Sequence, residues 1–113
     1  MNFFSSDVVR AEMTEIAEMQ EEVYSNIFKF PTMTKDERLE HVELLERLIE
    51  KQKVLYTRMS LSDDPEARMM KDRIVESAMM MGMPQGTDMN IILNNMSKIL
   101  EMMKQQIDKH DQD

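Results

Sequence analysis

Apolar side chains along this chain recur at steps of three, four and seven, the period of a helix with one face turned inward. Val9, Met13, Ile16, Val23 and Ile27 form the first such line, with Gln20 filling its gap and Glu12, Glu15, Glu18, Glu21 and Glu22 mostly outside it. Ser5, Ser6 and Asp7 are N-cap candidates. Pro31 and its restricted neighbour Phe30 stop the segment, so the pattern predicts a helix over 7–29. Thr34-Lys35-Asp36-Glu37 fits a capping box, in which hydroxyl and carboxylate satisfy each other's free backbone amides. It opens a second helix over 35–60, with Leu39, Val42, Leu45, Leu48, Ile49, Leu55, Tyr56 and Met59 as a broad apolar face. No glycine or proline interrupts that run, which at ~1.5 Å per residue is on the order of 40 Å long.

Asp64-Pro65-Glu66 restarts a helix with a capping acid, a proline at the first position and an acid in the first turn. Ala67, Met70, Ile74, Ala78 and Met81 give its stripe, and Gly82 and Pro84 end it, predicting a helix over 65–81. Thr87 or Asp88 can cap a last helix over 88–108, whose stripe is Met89, Ile92, Met96, Ile99, Met103 and Ile107, widened by Leu93 and Leu100. The residues from Lys109 to Asp113 have no apolar partner and are expected to fray. Short connections favour antiparallel neighbours. The expected fold is all-α, one domain over 1–113, with antiparallel hairpins or a bundle of about four helices. Apolar stripes this wide on long helices invite a second chain, so a dimer through the long helices is expected.

Composition narrows the function. Two glycines and three prolines leave little turn chemistry for an all-β fold. A net charge of −8 repels phosphate backbones and anionic lipid, so neither direct nucleic-acid binding nor membrane docking is expected. A basic protein partner, or mimicry of a nucleic acid, stays open, beside the plain role of charge in solubility. The absence of cysteine excludes disulfides, thiolate metal sites and cysteine nucleophiles and fits a reducing cytosol. The N-terminus lacks the basic and apolar regions of a signal peptide, and no uncharged apolar run approaches a membrane span. The expectation is a soluble, cytoplasmic protein.

No catalytic site is legible. There is no Ser/His/Asp set, phosphate loop or metalloprotease motif, so an enzyme is not expected. Glu37 and His41 share a helix face, but the Glu-x-x-His pairs of a di-iron bundle are missing and His41 reads as a solvated side chain. His110 falls in the expected tail. Methionine is the outlier, at 15 of 113 residues, densest at Met79-Met80-Met81-Gly82-Met83. Adjacent helical residues point in different directions, so Met79, Met80 and Met81 cannot all face one core. Thioethers can bind Cu(I), but neither cysteine nor histidine stands nearby, and no metal or cofactor is expected. Flexible methionines also suit adaptable contacts. Met79, Met80, Met81 and Met83 are therefore candidate partner-binding residues. The adjacent Phe3 and Phe4 are candidates too, although packing against the body of the protein competes for them. Phe28 and Phe30 are expected to close the first hairpin beside Pro31.

The opening Met1-Asn2-Phe3-Phe4-Ser5-Ser6-Asp7-Val8-Val9 resembles that of a family of small uncharacterised proteins, a domain of unknown function, of cyanobacteria and the viruses that infect them. Tyr56-Thr57-Arg58-Met59-Ser60-Leu61-Ser62-Asp63-Asp64 is similar to the family's aromatic-basic-aromatic-x-Leu-Ser-acid-acid junction. Gly82-Met83-Pro84-Gln85 before a Met-rich helix resembles its Gly-Met-Thr-Pro-Gln stretch. Met59 stands where the family often has Phe, and the Met79–Met81 run and longer polar tail also depart from it, features that fit a phage-encoded member. The resemblance implies a helical fold and a cyanobacterial context, and no activity. The leading expectation is a non-enzymatic protein-protein interaction module that binds and modulates a host complex. A structural or assembly protein, such as a virion or scaffold component, and an acidic nucleic-acid mimic are the alternatives.

Overall fold

The computed structural model describes residues 2–80, 82–84, 86 and 88–110. Four helices make up the fold: α1 (Asp7–Ile27), α2 (Lys35–Leu61), α3 (Pro65–Met80) and α4 (Met89–His110), with short 3-10 turns at Phe3–Ser5 and Phe30–Thr32. Among the described residues there is no strand. Met81, Thr87, Gln85 and Asp111 to Asp113, on which parts of the sequence reading fell, lie outside the described residues.

Helix boundaries follow local chemistry. At the start of α2, Thr34 Oγ1 accepts from the Glu37 amide at 3.2 Å while Glu37 Oε1 accepts from the Thr34 amide at 3.3 Å, the reciprocal capping box. Asp64 caps α3, its Oδ1 accepting from the Glu66 amide at 3.1 Å. Asp88 does the same for α4 through the Asn90 amide at 2.9 Å. Past α3 the Gly82 amide donates to the Met79 carbonyl and the Met83 amide to the Ala78 carbonyl, both at 3.0 Å. This is a Schellman motif, and it needs the left-handed φ of +100° that Gly82 adopts. At the other end of the chain the expectation shifts slightly. Phe28 and Lys29 leave the helix before the 3-10 turn, whereas Lys109 and His110, expected to fray, continue α4. Ser6 is the N-cap of α1 but makes no side-chain capping bond.

The longest helix, α2, is the hub of the packing. Against α1 it buries Leu44 and Leu48 with Ile16 and Val23. Against α4 it buries Val42 and Ile49 with Leu93 and Leu100, and Leu45 touches both clusters. Its last turns, with Tyr56 and Met59, meet Ala67 of α3 under Phe3 and Phe4. Ion pairs tie the flanks: Lys51 to Glu15 and Arg58 to Glu12 toward α1, Lys104 to Glu46 and Lys35 to Asp108 toward α4. Both long neighbours run antiparallel to α2, as these pairings require.

The result is an elongated bundle centred on α2. The Cα extents are 54 × 32 × 20 Å, about two helix diameters in the thinnest direction. The radius of gyration is 16.4 Å, against roughly 13 Å for a compact domain of this length. Much apolar surface stays outside. Within the predicted α1 line, Val9, Ile16 and Val23 are buried but Met13 and Ile27 are exposed.

Candidate interaction surface

Of the residues singled out from sequence, Phe3 and Phe4 are half-buried. Their rings meet edge to face, with centroids 5.0 Å apart, and both pack on the Tyr56, Met59 and Ala67 cluster. The Phe3 amide donates to Asp64 Oδ2, so one carboxylate pins the N-terminal turn and caps α3 at once. These two amides, Phe3 first and then Glu66, hold the Asp64 carboxyl below its ordinary range. Burial pushes the Tyr56 hydroxyl up, with Asp88 adding to it. Intramolecular packing accounts for both phenylalanines.

The methionines behave differently. Met79, Met80 and Met83 are exposed, Met80 at 88%, while Met81 lies outside the described residues. Met83 lines an open apolar groove with Met70, Ile74, Ala78, Met89 and Ile92, whereas Met79 and Met80 fall on other sides of the last turn of α3. Phe28, expected to close the first hairpin, is instead 90% exposed. The helix ends one residue before it, and Phe30 alone turns inward. Phe30 packs on His41 and under the Arg38 guanidinium, whose Nη2 donates to the Pro31 carbonyl at 3.1 Å.

His41 corrects the sequence reading. It is 7% exposed rather than solvated, because the Phe30 turn folds over that face of α2. Its Nδ1 has no hydrogen-bond partner among the described residues. Beside it, a cleft of about 500 Å³ between α1 and α2 is lined by Glu22, Glu37, Glu40 and Glu43, with Arg47 and His41 itself also in its wall. Among the described residues no three His, Asp or Glu side chains are placed to hold a metal ion.

The largest departure concerns α4. Sequence periodicity marks Met89, Ile92, Met96, Ile99 and Met103 as its inward stripe, with Leu93 and Leu100 as widening. The structure reverses the emphasis: Leu93 and Leu100 are buried on α2, while Met96, Ile99 and Met103 are exposed. Ile107, the last of that stripe, packs beside them on α2. Met89 and Ile92, at the head of the stripe, lie half-buried along α3. Periodicity alone had no means of choosing, because the apolar arc of α4 is wider than the contact α2 offers.

A family model described as Domain of unknown function (DUF1825) matches residues 1–107. The chain belongs to that family. The match spans α1 to α3 and α4 up to Ile107, and it names no chemistry. No curated protein and no solved structure matches the chain. Among the described residues, no helix is long and apolar enough to cross a membrane.

Proposed function

We propose that this DUF1825 protein is a non-catalytic protein-interaction module that binds another protein through its uncovered apolar side chains. The observation supporting this reading is the set of exposed large apolar residues in a chain of only 113, including Phe28, Met80, Met102 and Ile99. Exposed apolar side chains that cluster, as Met96, Ile99, Met102 and Met103 do along α4, mark binding surfaces. At the tip of α3, Met83 lines an apolar groove with Met70 and Met89, flexible side chains suited to receiving an apolar helix face, and Met79 and Met80 are exposed on the same tip. The partner would be a protein of the cyanobacterial cytoplasm, as the family resemblance implies.

The test is affinity capture from cyanobacterial lysate with wild type and Met80→Glu compared by quantitative mass spectrometry. A specific partner depleted several-fold by Met80→Glu supports the reading. If wild type recovers nothing above background, the reading fails. The acidic cleft favours a second reading, a mimic of nucleic acid that occupies a basic protein surface. That reading requires capture to weaken steeply with added salt, and salt-insensitive capture counts against it.

A further inference from the structure

We infer that the outward stripe of α4 is a self-association seam, and that its occupant is α4 of a second copy of this chain. The inference rests on the interaction-module reading and adds to it a second surface, on α4, with a partner of its own. Leu93 and Leu100, one heptad apart, fix the face of α4 that α2 occupies. At about 100° per residue, Met96, Ile99 and Met103 fall roughly 60–120° around the helix from that line. They repeat at alternating steps of three and four, the spacing by which two helices interlock along a narrow seam. Toward the head of α4 the stripe runs under α3 at Met89 and Ile92. From Met96 to Met103 the stripe is exposed, and its last member, Ile107, returns to α2.

Charge separates this strip from an ordinary solvated face. Nearly a third of the chain is charged, yet the residues bordering the seam on its outer side are Gln106, Asn95 and Met102, and the first charges past them, Lys98 and Lys109, are both basic. Glu101, Lys104 and Asp108 fall on the other flank, where Lys104 reaches Glu46 of α2 at 3.1 Å. Depletion of charge marks the centre of an interface. It also selects the occupant. Two copies that each carry a net −8 repel one another over most of their surfaces, and an uncharged strip is where they can meet without opposing like charges. Two identical seams related by a two-fold axis are complementary by construction.

Size sets the strength. Met96, Ile99, Met102 and Met103 are between 37% and 61% exposed, which at roughly 200 Å² for a fully exposed large side chain leaves about 400 Å² of apolar surface. A standard interface takes about 800 Å² per partner, so the seam builds a small, reversible dimer that dissociates on dilution.

Sedimentation velocity over a hundred-fold concentration range tests this with wild type, a Met96→Glu/Ile99→Glu double variant and Met80→Glu. Both double-variant positions are exposed in the single chain, so its helical circular dichroism is expected to match that of wild type at low concentration. Wild type and Met80→Glu are expected to approach twice the 13.4 kDa chain mass at the high end. The double variant should stay at the single mass throughout. A wild type that remains monomeric at every concentration overturns the inference, and the interaction-module reading then stands or falls on lysate capture. A double variant that dimerises like wild type overturns the seam while leaving self-association to another surface.

Discussion

Leu100→Ala removes an α4 side chain that is 7% exposed and packed among Val42, Ile49 and Leu93. Three carbon atoms leave a buried site, a transfer loss of about 2.4 kcal/mol at ~0.8 kcal/mol per group. The cavity term adds to this, since α2 and α4 are held apart by Leu93 and Ile49 and cannot collapse fully, bringing the expected cost to about 3 kcal/mol. Alanine's better helix propensity returns only a few tenths. Ile99→Ala, one residue away on the outward stripe, is expected to cost under about 1 kcal/mol when measured in the monomer. The assay is urea unfolding followed by circular dichroism at a concentration low enough to exclude dimer. The Leu100 variant should show a clearly lower midpoint at an unchanged slope. If the two substitutions cost the same, or Ile99→Ala costs more, the rotation of α4 described above is wrong.

Thr34→Ala breaks one half of the capping box at the start of α2 and should lower stability by about 1 kcal/mol, read from the same unfolding curves. Gly82→Ala meets no steric obstacle, but forces a Cβ onto a φ of +100°. A loss of about 1 kcal/mol is expected, and a neutral result would contradict the Schellman ending. Asp64 gives a pH signature. Its folded carboxyl is held below the ordinary 3.8 by the Phe3 and Glu66 amides, so its contribution is complete above that value and is lost as the pH falls through the lowered one. Asp64→Asn should therefore be less stable than wild type near neutral pH, with the gap closing in acid; a gap constant down to pH 2 would refute the assignment.

Local signals were the legible part of this fold. Thr34 with Glu37, Asp64 with Pro65, and Gly82 before Pro84 each carry their own backbone geometry, and each marks the boundary it predicted. The apolar faces were legible as lines but not as contacts. Leu44 was absent from the predicted face of α2 because that helix serves two neighbours, and a single stripe cannot describe a helix packed on two sides. His41 reads as solvated until the Phe30 turn folds over it, a long-range event that no spacing encodes. Phe28 and Phe30 have the same composition and neighbourhood, and only the point where α1 ends separates the exposed ring from the packed one. For the candidate surface, the reasoning that adjacent methionines cannot all be core agrees with the exposure of Met79 and Met80, whereas α4 escaped notice because its outward stripe is as regular as a core stripe.

The absence of cysteine from the chain allows one spin label per copy to be placed beside the α4 stripe, at Asn95→Cys. Paired helices lie 8–10 Å apart between axes, so with the label arms included double electron-electron resonance should give an inter-spin distance of about 20 Å at high protein concentration. The same label at Glu18→Cys, on the exposed side of α1, should give a clearly longer distance. No inter-spin coupling at Asn95→Cys under conditions where the chain is concentrated, or a shorter distance at Glu18→Cys, would contradict a protein built to meet its own copy through α4.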